Sequence, residues 1–378
     1  EEVRSWYFEV WNEPNLKPFW DGSRSRYFEL YRVTAQTIKA IDPHLRVGGP
    51  ATSNFVPDAR FDGEYENTDA HRTHQVDDLS SLNWHGVWIK EFLAFCQLEK
   101  LPVDFVSAHP YPTDFALDQT GLCVGRSRNA DATYVDVKWL RDVVRQSAFP
   151  RAEIHMTEWS SSPSSRDCSH DFIHEAAYIV RTNLQCAGLV DSLSYWTFTD
   201  VFEEHGAGDS IFHGGFGMIN YQGIVKPSFH AYRMLNALGD ELLHIEDGLA
   251  VTRRGSLLQA LLYHYPIKET ICMSPFPNRA PAEVLATEGE PLQRELVICN
   301  AKPHAIFTLD VLDAEHGWAY PRWKEMQCPD TPSREQTHAL RSTALHTKKQ
   351  SLQADADGTL HLSLSLSPWS VTLLEELP

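Results

Sequence analysis

The sequence lacks any run of about 20 apolar residues, the length a helix needs to cross a bilayer. It does not open on the basic, apolar and small-residue segments of a secretory signal. Any targeting peptide would be expected upstream of Glu1, which leaves the compartment, cytoplasmic or periplasmic, open. Basic residues are scarce, with 33 Lys and Arg against 51 Asp and Glu and a formal net charge of -18. Nucleic acid and anionic membranes require a basic face to displace counterions, so neither is expected as a partner. A neutral ligand such as a sugar suits this charge better. The seven cysteines (Cys96, Cys123, Cys168, Cys186, Cys272, Cys299 and Cys328) are odd in number, scattered, and form no CxxC pair or metal-ligand spacing. That argues against a disulfide framework and a zinc site, and the cysteines are expected to be mostly free thiols. No internal repeat is present.

What is present is a chain of 378 residues, longer than one core usually serves, so a large domain and a smaller companion are expected. An aromatic content of 11%, including 11 Trp, leans toward surfaces that stack on ring-shaped ligands. The first two thirds alternates short apolar runs with amphipathic stretches, the pattern of βα units around a parallel sheet. Five strands are predicted: Trp6 to Trp11, Leu45 to Gly49, Val103 to Ala108, Glu153 to Thr157 and Ser192 to Thr197. Several are almost continuously apolar or β-branched, as strands buried on both faces are. Between them, Tyr27 to Ile41 has apolar residues three and four apart, and segments from Trp84, Val135, Phe172 and Phe229 repeat that spacing.

After about Asp240 the pattern becomes alternating, as in Leu257 to Tyr263, Leu296 to Cys299 and Thr359 to Leu366, which predicts an antiparallel β domain. The expected division is therefore 1–240 and 241–378. Pro275 to Pro291 reads as a surface loop, and Asp330 to Ser351 as a polar excursion that packs poorly.

Two segments carry chemistry. WYFEVWNEPN sets Asn12 and Glu13 just beyond an apolar strand, and EIHMTEWSSSP sets Glu158 at the end of another. Strand ends of this kind form the catalytic rim of an α/β barrel. Paired carboxylates suit glycoside hydrolysis, where one carboxyl protonates the leaving oxygen and the other attacks the anomeric carbon or activates water. Glu158 lies on the third predicted strand after that of Glu13, an offset that lets the two face each other across the mouth. Retaining chemistry requires carboxyls about 5 to 5.5 Å apart.

Six segments then resemble glycoside hydrolase family 39, and within it the β-xylosidases: VWNEPNLKPFW (10–20), DPHLRVGGPA (42–51), VDFVSAHPYPTD (103–114), MTEWSSSPSS (156–165), YWTFTDVFEE (195–204) and HGGFGMINYQGIVKPSFHAYRMLNALG (213–239). The resemblance implies a (β/α)8 TIM barrel of the retaining clan, with Glu13 as acid/base at the end of strand four and Glu158 as nucleophile at the end of strand seven. Strands one to three would then precede Glu1, so the chain is expected to be an N-terminally truncated barrel, strands four to eight, followed by a β-sandwich-like domain. It implies release of β-linked xylose from the non-reducing ends of xylosides or xylo-oligosaccharides by double displacement, with no cofactor and no metal.

The alternatives are another activity of the family, such as α-L-iduronidase, and an inactive sugar-binding fragment. An iduronidase would need a basic group aimed at the substrate carboxylate, and no Lys or Arg is evidently placed for it.

Asn12 is expected to hydrogen-bond the sugar 2-hydroxyl. His109 and Tyr111, in AHPYP, either orient the nucleophile or are a structural His and a packed Tyr. Trp196 is implied as the platform under the sugar. Asp200, Glu203 and Glu204 either reach sugar hydroxyls or belong to a solvated loop. The glycines of HGGFG (213–217) allow either close backbone approach or a turn.

Overall fold

The computed structural model describes residues 1–57, 62–65, 79–117, 123–201, 206, 208–267 and 278–378. They form two compact units, Glu1–Pro163 with Cys186–Trp196, and Ser164–Gln185 with Thr197–Pro378.

In chain order the first unit holds β1 (Tyr7–Glu9), α1 (Arg24–Ile41), β2 (Arg46–Ser53), β3 (Phe55–Val56), β4 (His85–Gly86), α2 (Ile89–Leu98), β5 (Phe105–His109), β6 (Thr113–Leu117), β7 (Cys123–Ser127), α3 (Ala132–Gln146), β8 (Glu153–Trp159) and β9 (Ser192–Tyr195). Strands β1, β2, β5, β8 and β9 form one parallel sheet in that order. They are the five strands predicted from the apolar runs, and the α/β architecture follows the predicted alternation. Two small antiparallel ribbons, β3 with β4 and β6 with β7, stand apart from this sheet.

The alternation of side chains gives the parallel sheet two different faces. Val10, Val47, Val106, Ile154 and Met156 join Tyr27 and Tyr31 of α1, Phe92 of α2 and Val137 and Leu140 of α3 in one buried cluster. Each fully buried aliphatic side chain of that kind contributes about 1.5–3 kcal/mol. Helix α1 starts at Ser23, whose hydroxyl accepts from the Arg26 N–H, and ends at Asp42, just ahead of Pro43. Its Tyr27 hydroxyl donates to the Val10 carbonyl at 2.9 Å, tying the helix to the chain just past β1. The opposite face carries aromatic and polar groups. There the Tyr7 ring meets Phe105 and His155 edge-on, with centroids 5.4 and 4.7 Å away.

The second unit holds α4 (Ile173–Cys186, less its last residue), α5 (Pro227–Ala237), β10 (Glu241–Glu246), β11 (Leu249–Arg254), β12 (Leu257–Tyr263), α6 (Arg279–Ala286), β13 (Leu292–Ile298), β14 (Ile306–Leu312), α7 (Tyr320–Glu325), α8 (Arg334–Leu345), β15 (Lys348–Gln353), β16 (Leu360–Leu366) and β17 (Val371–Glu376). Six strands pair antiparallel in the order β10-β11-β12-β17-β14-β15, and β13 pairs with β16. One core cluster draws Ala260, Leu262, Phe307 and Leu374 from the larger sheet and Ile298, Leu360 and Leu362 from the smaller.

Two expectations are corrected in this unit. Within Pro275–Pro291, residues 279–286 form helix α6, capped by Asn278 and burying Ala282 and Leu285; residues 275–277 lie outside the described residues. Asp330–Ser351 is ordered by α8 and β15. The Ser333 hydroxyl accepts from the Gln336 N–H while the Gln336 side chain accepts from the Ser333 N–H, and Leu340 and Ala344 are buried. Among the described residues no helix is long and apolar enough to cross a membrane, and Cys96, Cys168, Cys186, Cys299 and Cys328 are free thiols. The expectation for Cys272 lies outside the described residues.

Candidate active site

The first unit gathers four of the expected site residues at the C-terminal ends of its parallel strands. The chain leaves β1 at Glu9 and reaches Glu13 with φ at +44°. Trp11, Ala51 and Asn54 also take left-handed conformations, at +71°, +53° and +66°. Such conformations cost non-glycine residues on the order of 1–3 kcal/mol each and persist where their surroundings impose them. Here the imposing contacts are visible. The Glu13 N–H donates to the Ala51 carbonyl at 3.0 Å, and the Asn54 N–H to the His109 carbonyl at 3.0 Å. The Asn15 side chain holds both backbone groups of Ser53, accepting from its N–H at 2.9 Å and donating to its carbonyl at 3.0 Å. The loop carrying Glu13 is thereby fastened to the end of β2.

His109, the last residue of β5, is almost completely buried between the carboxylates. Its Nδ1 lies 2.8 Å from Glu13 Oε1 and 3.7 Å from Glu158 Oε2. Its Nε2 lies 3.2 Å from Thr157 Oγ1, and the Thr157 hydroxyl donates to Glu9 Oε1 at 2.8 Å. Burial pulls the imidazole pKa down, but the hydrogen bond to Glu13 and the charges of Glu158, Glu13 and Glu9 outweigh it, so the pKa stands above the ordinary histidine value. The Tyr111 hydroxyl donates to Glu158 Oε1.

One donor atom each from Glu13, His109 and Glu158 lies within 4.8 Å of the other two. The spacing would suit a cation, yet both ring nitrogens of His109 are taken up by protein groups. The arrangement is that of two facing carboxyls with a proton-bearing ring between them.

The other expected residues are placed as follows. Asn12 is exposed beside Glu13. Trp196 is half-buried, and its backbone N–H donates to the carbonyl of Trp159, the residue after Glu158, at 2.8 Å. Asp200 belongs to the second unit and neither contacts solvent nor sits in a solvated loop. Its carboxylate accepts from Lys226 Nζ at 3.0 Å and from the Gly217 N–H at 2.7 Å, and Lys226 is also paired with Asp171 at 2.7 Å. That buried cation needs both carboxylates, so Asp200 is engaged within the protein. The glycines of HGGFG serve this packing: a Cβ on Gly217 would sit 2.2 Å from the backbone of Thr199 and Asp200. Glu203 and Glu204 lie outside the described residues. Sequence reasoning missed Glu9, Asn15 and Thr157; the signal for Glu9 was a lone acid in an otherwise apolar strand.

Residues 1–361 match the family model for glycosyl hydrolases family 39. The chain belongs to that family. It is 37% identical over 383 residues to a β-xylosidase of Geobacillus stearothermophilus, covering 99% of this chain and 66% of that protein. A β-xylosidase of Caldicellulosiruptor saccharolyticus is 34% identical over 389 residues, 98% of this chain and 67% of that protein. The family 39 chain thus spans about two thirds of the length of these curated relatives. Among solved structures, a monomeric β-xylosidase from Caulobacter crescentus superposes with a TM-score of 0.79 at 33% identity, over 100% of this chain and 70% of that one.

Proposed function

We propose that this family 39 chain carries the catalytic centre of a retaining glycoside hydrolase that releases xylose from β-xylosides, with Glu158 as nucleophile and Glu13 as general acid/base. The observation that carries the reading is the approach of the two carboxyls, whose nearest donor atoms lie within 4.8 Å. An inverting enzyme needs roughly 6.5–9.5 Å to admit a water between them, and a retaining one about 5–5.5 Å. The β-xylosidase relatives at 37% and 34% identity support xylose as the sugar.

In the first half-reaction a Glu158 oxygen attacks the anomeric carbon, the glycosidic C–O bond breaks, and Glu13 gives a proton to the departing oxygen. The Tyr111 hydrogen bond orients the Glu158 carboxylate for the attack. In the second half-reaction Glu13 takes a proton from water, the resulting hydroxide attacks the anomeric carbon, and Glu158 departs. Two inversions return the β-anomer. Neither step calls for a cofactor. Exposed Asn12 is assigned to the sugar 2-hydroxyl and Trp196 to the platform beneath the ring.

We assign β1, β2, β5, β8 and β9 to strands four to eight of a (β/α)8 barrel, residues 1–240 to that barrel, and 241–378 to an accessory β-sandwich-like domain. The core shared by the two antiparallel sheets supports the last of these.

Proton NMR during the first turnovers of an aryl β-xyloside tests the proposal. β-Xylose is expected before mutarotation. An initial α-anomer means that water attacks directly and overturns the assignment.

A further inference from the structure

Beneath the two carboxyls a line of hydrogen bonds crosses the polar face of the sheet from β1 to β8 to β5 and ends on Glu13. Thr157 Oγ1 lies 2.8 Å from Glu9 Oε1 and 3.2 Å from His109 Nε2, and His109 Nδ1 lies 2.8 Å from Glu13 Oε1. A hydroxyl has one proton to donate. With Glu9 ionised, Thr157 gives that proton to Glu9 and can only accept from the ring. His109 Nε2 must therefore carry a hydrogen. The hydrogen between Nδ1 and Glu13 is then the one member of the line with two seats.

We propose that Glu9, acting through Thr157, is a positioning residue for the acid/base: it fixes the Nε2–H form of His109, so that Nδ1 and the Glu13 carboxyl share a single transferable proton. The inference rests on the reading of Glu13 as acid/base.

The proton count closes over both half-reactions. In the first, the shared proton leaves through Glu13 to the departing oxygen, and His109 is left neutral with its hydrogen on Nε2. In the second, the proton taken from water refills the Glu13–His109 pair. Among the described residues the groups facing His109 are Glu9 and Glu13 from β1 and the loop after it, and Thr157 and Glu158 from β8, where Glu158 also accepts from the Tyr111 hydroxyl. Tyr7, Arg46, Glu153 and His155 lie toward the N-terminal ends of the strands, where His155 bonds Glu153 and Ser192. The charges that act on the ring among the described residues are those of Glu158, Glu13 and Glu9, all negative. They favour keeping the proton in the pair until an acceptor arrives.

The test is the pH dependence of kcat/KM for Glu9→Gln, Thr157→Val and Thr157→Ser. Loss of the shared proton sets the alkaline limb. Glu9→Gln and Thr157→Val should move that limb about one unit toward acid. Both should slow xylosides with poor leaving groups about tenfold while sparing dinitrophenyl xyloside. Thr157→Ser, which keeps the hydroxyl, should behave as the unsubstituted enzyme. An alkaline limb unmoved in Glu9→Gln and Thr157→Val overturns the proposal. So does a Thr157→Ser enzyme that matches Thr157→Val, because the methyl packing would then be what matters.

Nitrogen-15 NMR of the unsubstituted protein gives a reading that needs no variant to fold. Hydrogen on Nε2 of His109, with or without a second on Nδ1, supports the relay, and hydrogen on Nδ1 with Nε2 bare overturns it. Failure of the acid/base reading itself appears elsewhere, as a Glu13→Ala enzyme indifferent to the leaving group.

Discussion

The Tyr111 hydroxyl donates a hydrogen bond to Glu158 Oε1. A phenol in that position stabilises the carboxylate and sets the plane in which its other oxygen points. Tyr111→Phe should lower kcat about a hundredfold with little change in KM, the scale found when one preorganised donor is removed from a reacting oxygen. Steady-state kinetics on an aryl xyloside check it. An unchanged kcat would make Tyr111 a packing residue.

Glu13→Ala separates the two roles of the acid/base. Xylosides with poor leaving groups should lose about 100-fold or more in rate, because their departing oxygen needs a proton. Dinitrophenyl xyloside should still form the covalent intermediate, which then waits for an unactivated water. Azide should accelerate its turnover and yield β-xylosyl azide. Equal slowing of good and poor leaving groups, with no azide effect, would remove Glu13 from the role.

Arg128 and Asp136 test what holds the first unit together. The guanidinium makes two hydrogen bonds to the carboxylate, at 2.7 and 3.0 Å, and lies 3.7 Å above the Trp84 ring, with both charged groups buried. Asp136→Asn leaves the cation without its counter-charge and should cost about 3–5 kcal/mol of stability. The double change Arg128→Met with Asp136→Leu should lose much less, because no buried charge remains. Chemical denaturation of the three variants decides this.

In the second unit His174 is fully buried, and neither ring nitrogen has a hydrogen-bond partner among the described residues. Burial first, and the neighbouring His170 second, push its pKa down to about 3. A histidine whose folded pKa lies below its unfolded value stabilises the fold while neutral. That contribution is present above about pH 6.5 and is lost as pH falls toward 3, by about 1.4 kcal/mol per unit. Thermal unfolding between pH 7 and 5 should show the loss. His174→Leu should flatten the curve, and an equally steep curve in that variant would assign the slope to other groups.

The parallel sheet was legible because strands buried on both faces are rich in apolar residues, as β5 is with Phe105, Val106 and Ala108. Glu13 and Glu158 were legible because each stands where such a run turns polar. Asp200 was not, since its partners Lys226 and Asp171 are remote in sequence and only folding shows that they bury a cation together. Glu9 resembled a stray charge until Thr157 and His109 joined it to Glu13. Helices α6 and α8 were hidden by proline and polar composition, although the Ala282–Leu285 and Leu340–Ala344 spacings and the Ser333–Gln336 cap were present locally.

Peptide mapping by mass spectrometry, after inactivation with a 2-deoxy-2-fluoro-β-xyloside bearing a good leaving group, tests Glu158 as the nucleophile. Fluorine slows both half-reactions, and the good leaving group restores the first, so the glycosyl-enzyme accumulates. One fluoroxylosyl group per chain is expected, on Glu158, and none in Glu158→Gln. A label on any other carboxylate, or an active enzyme that takes up no label, would contradict it.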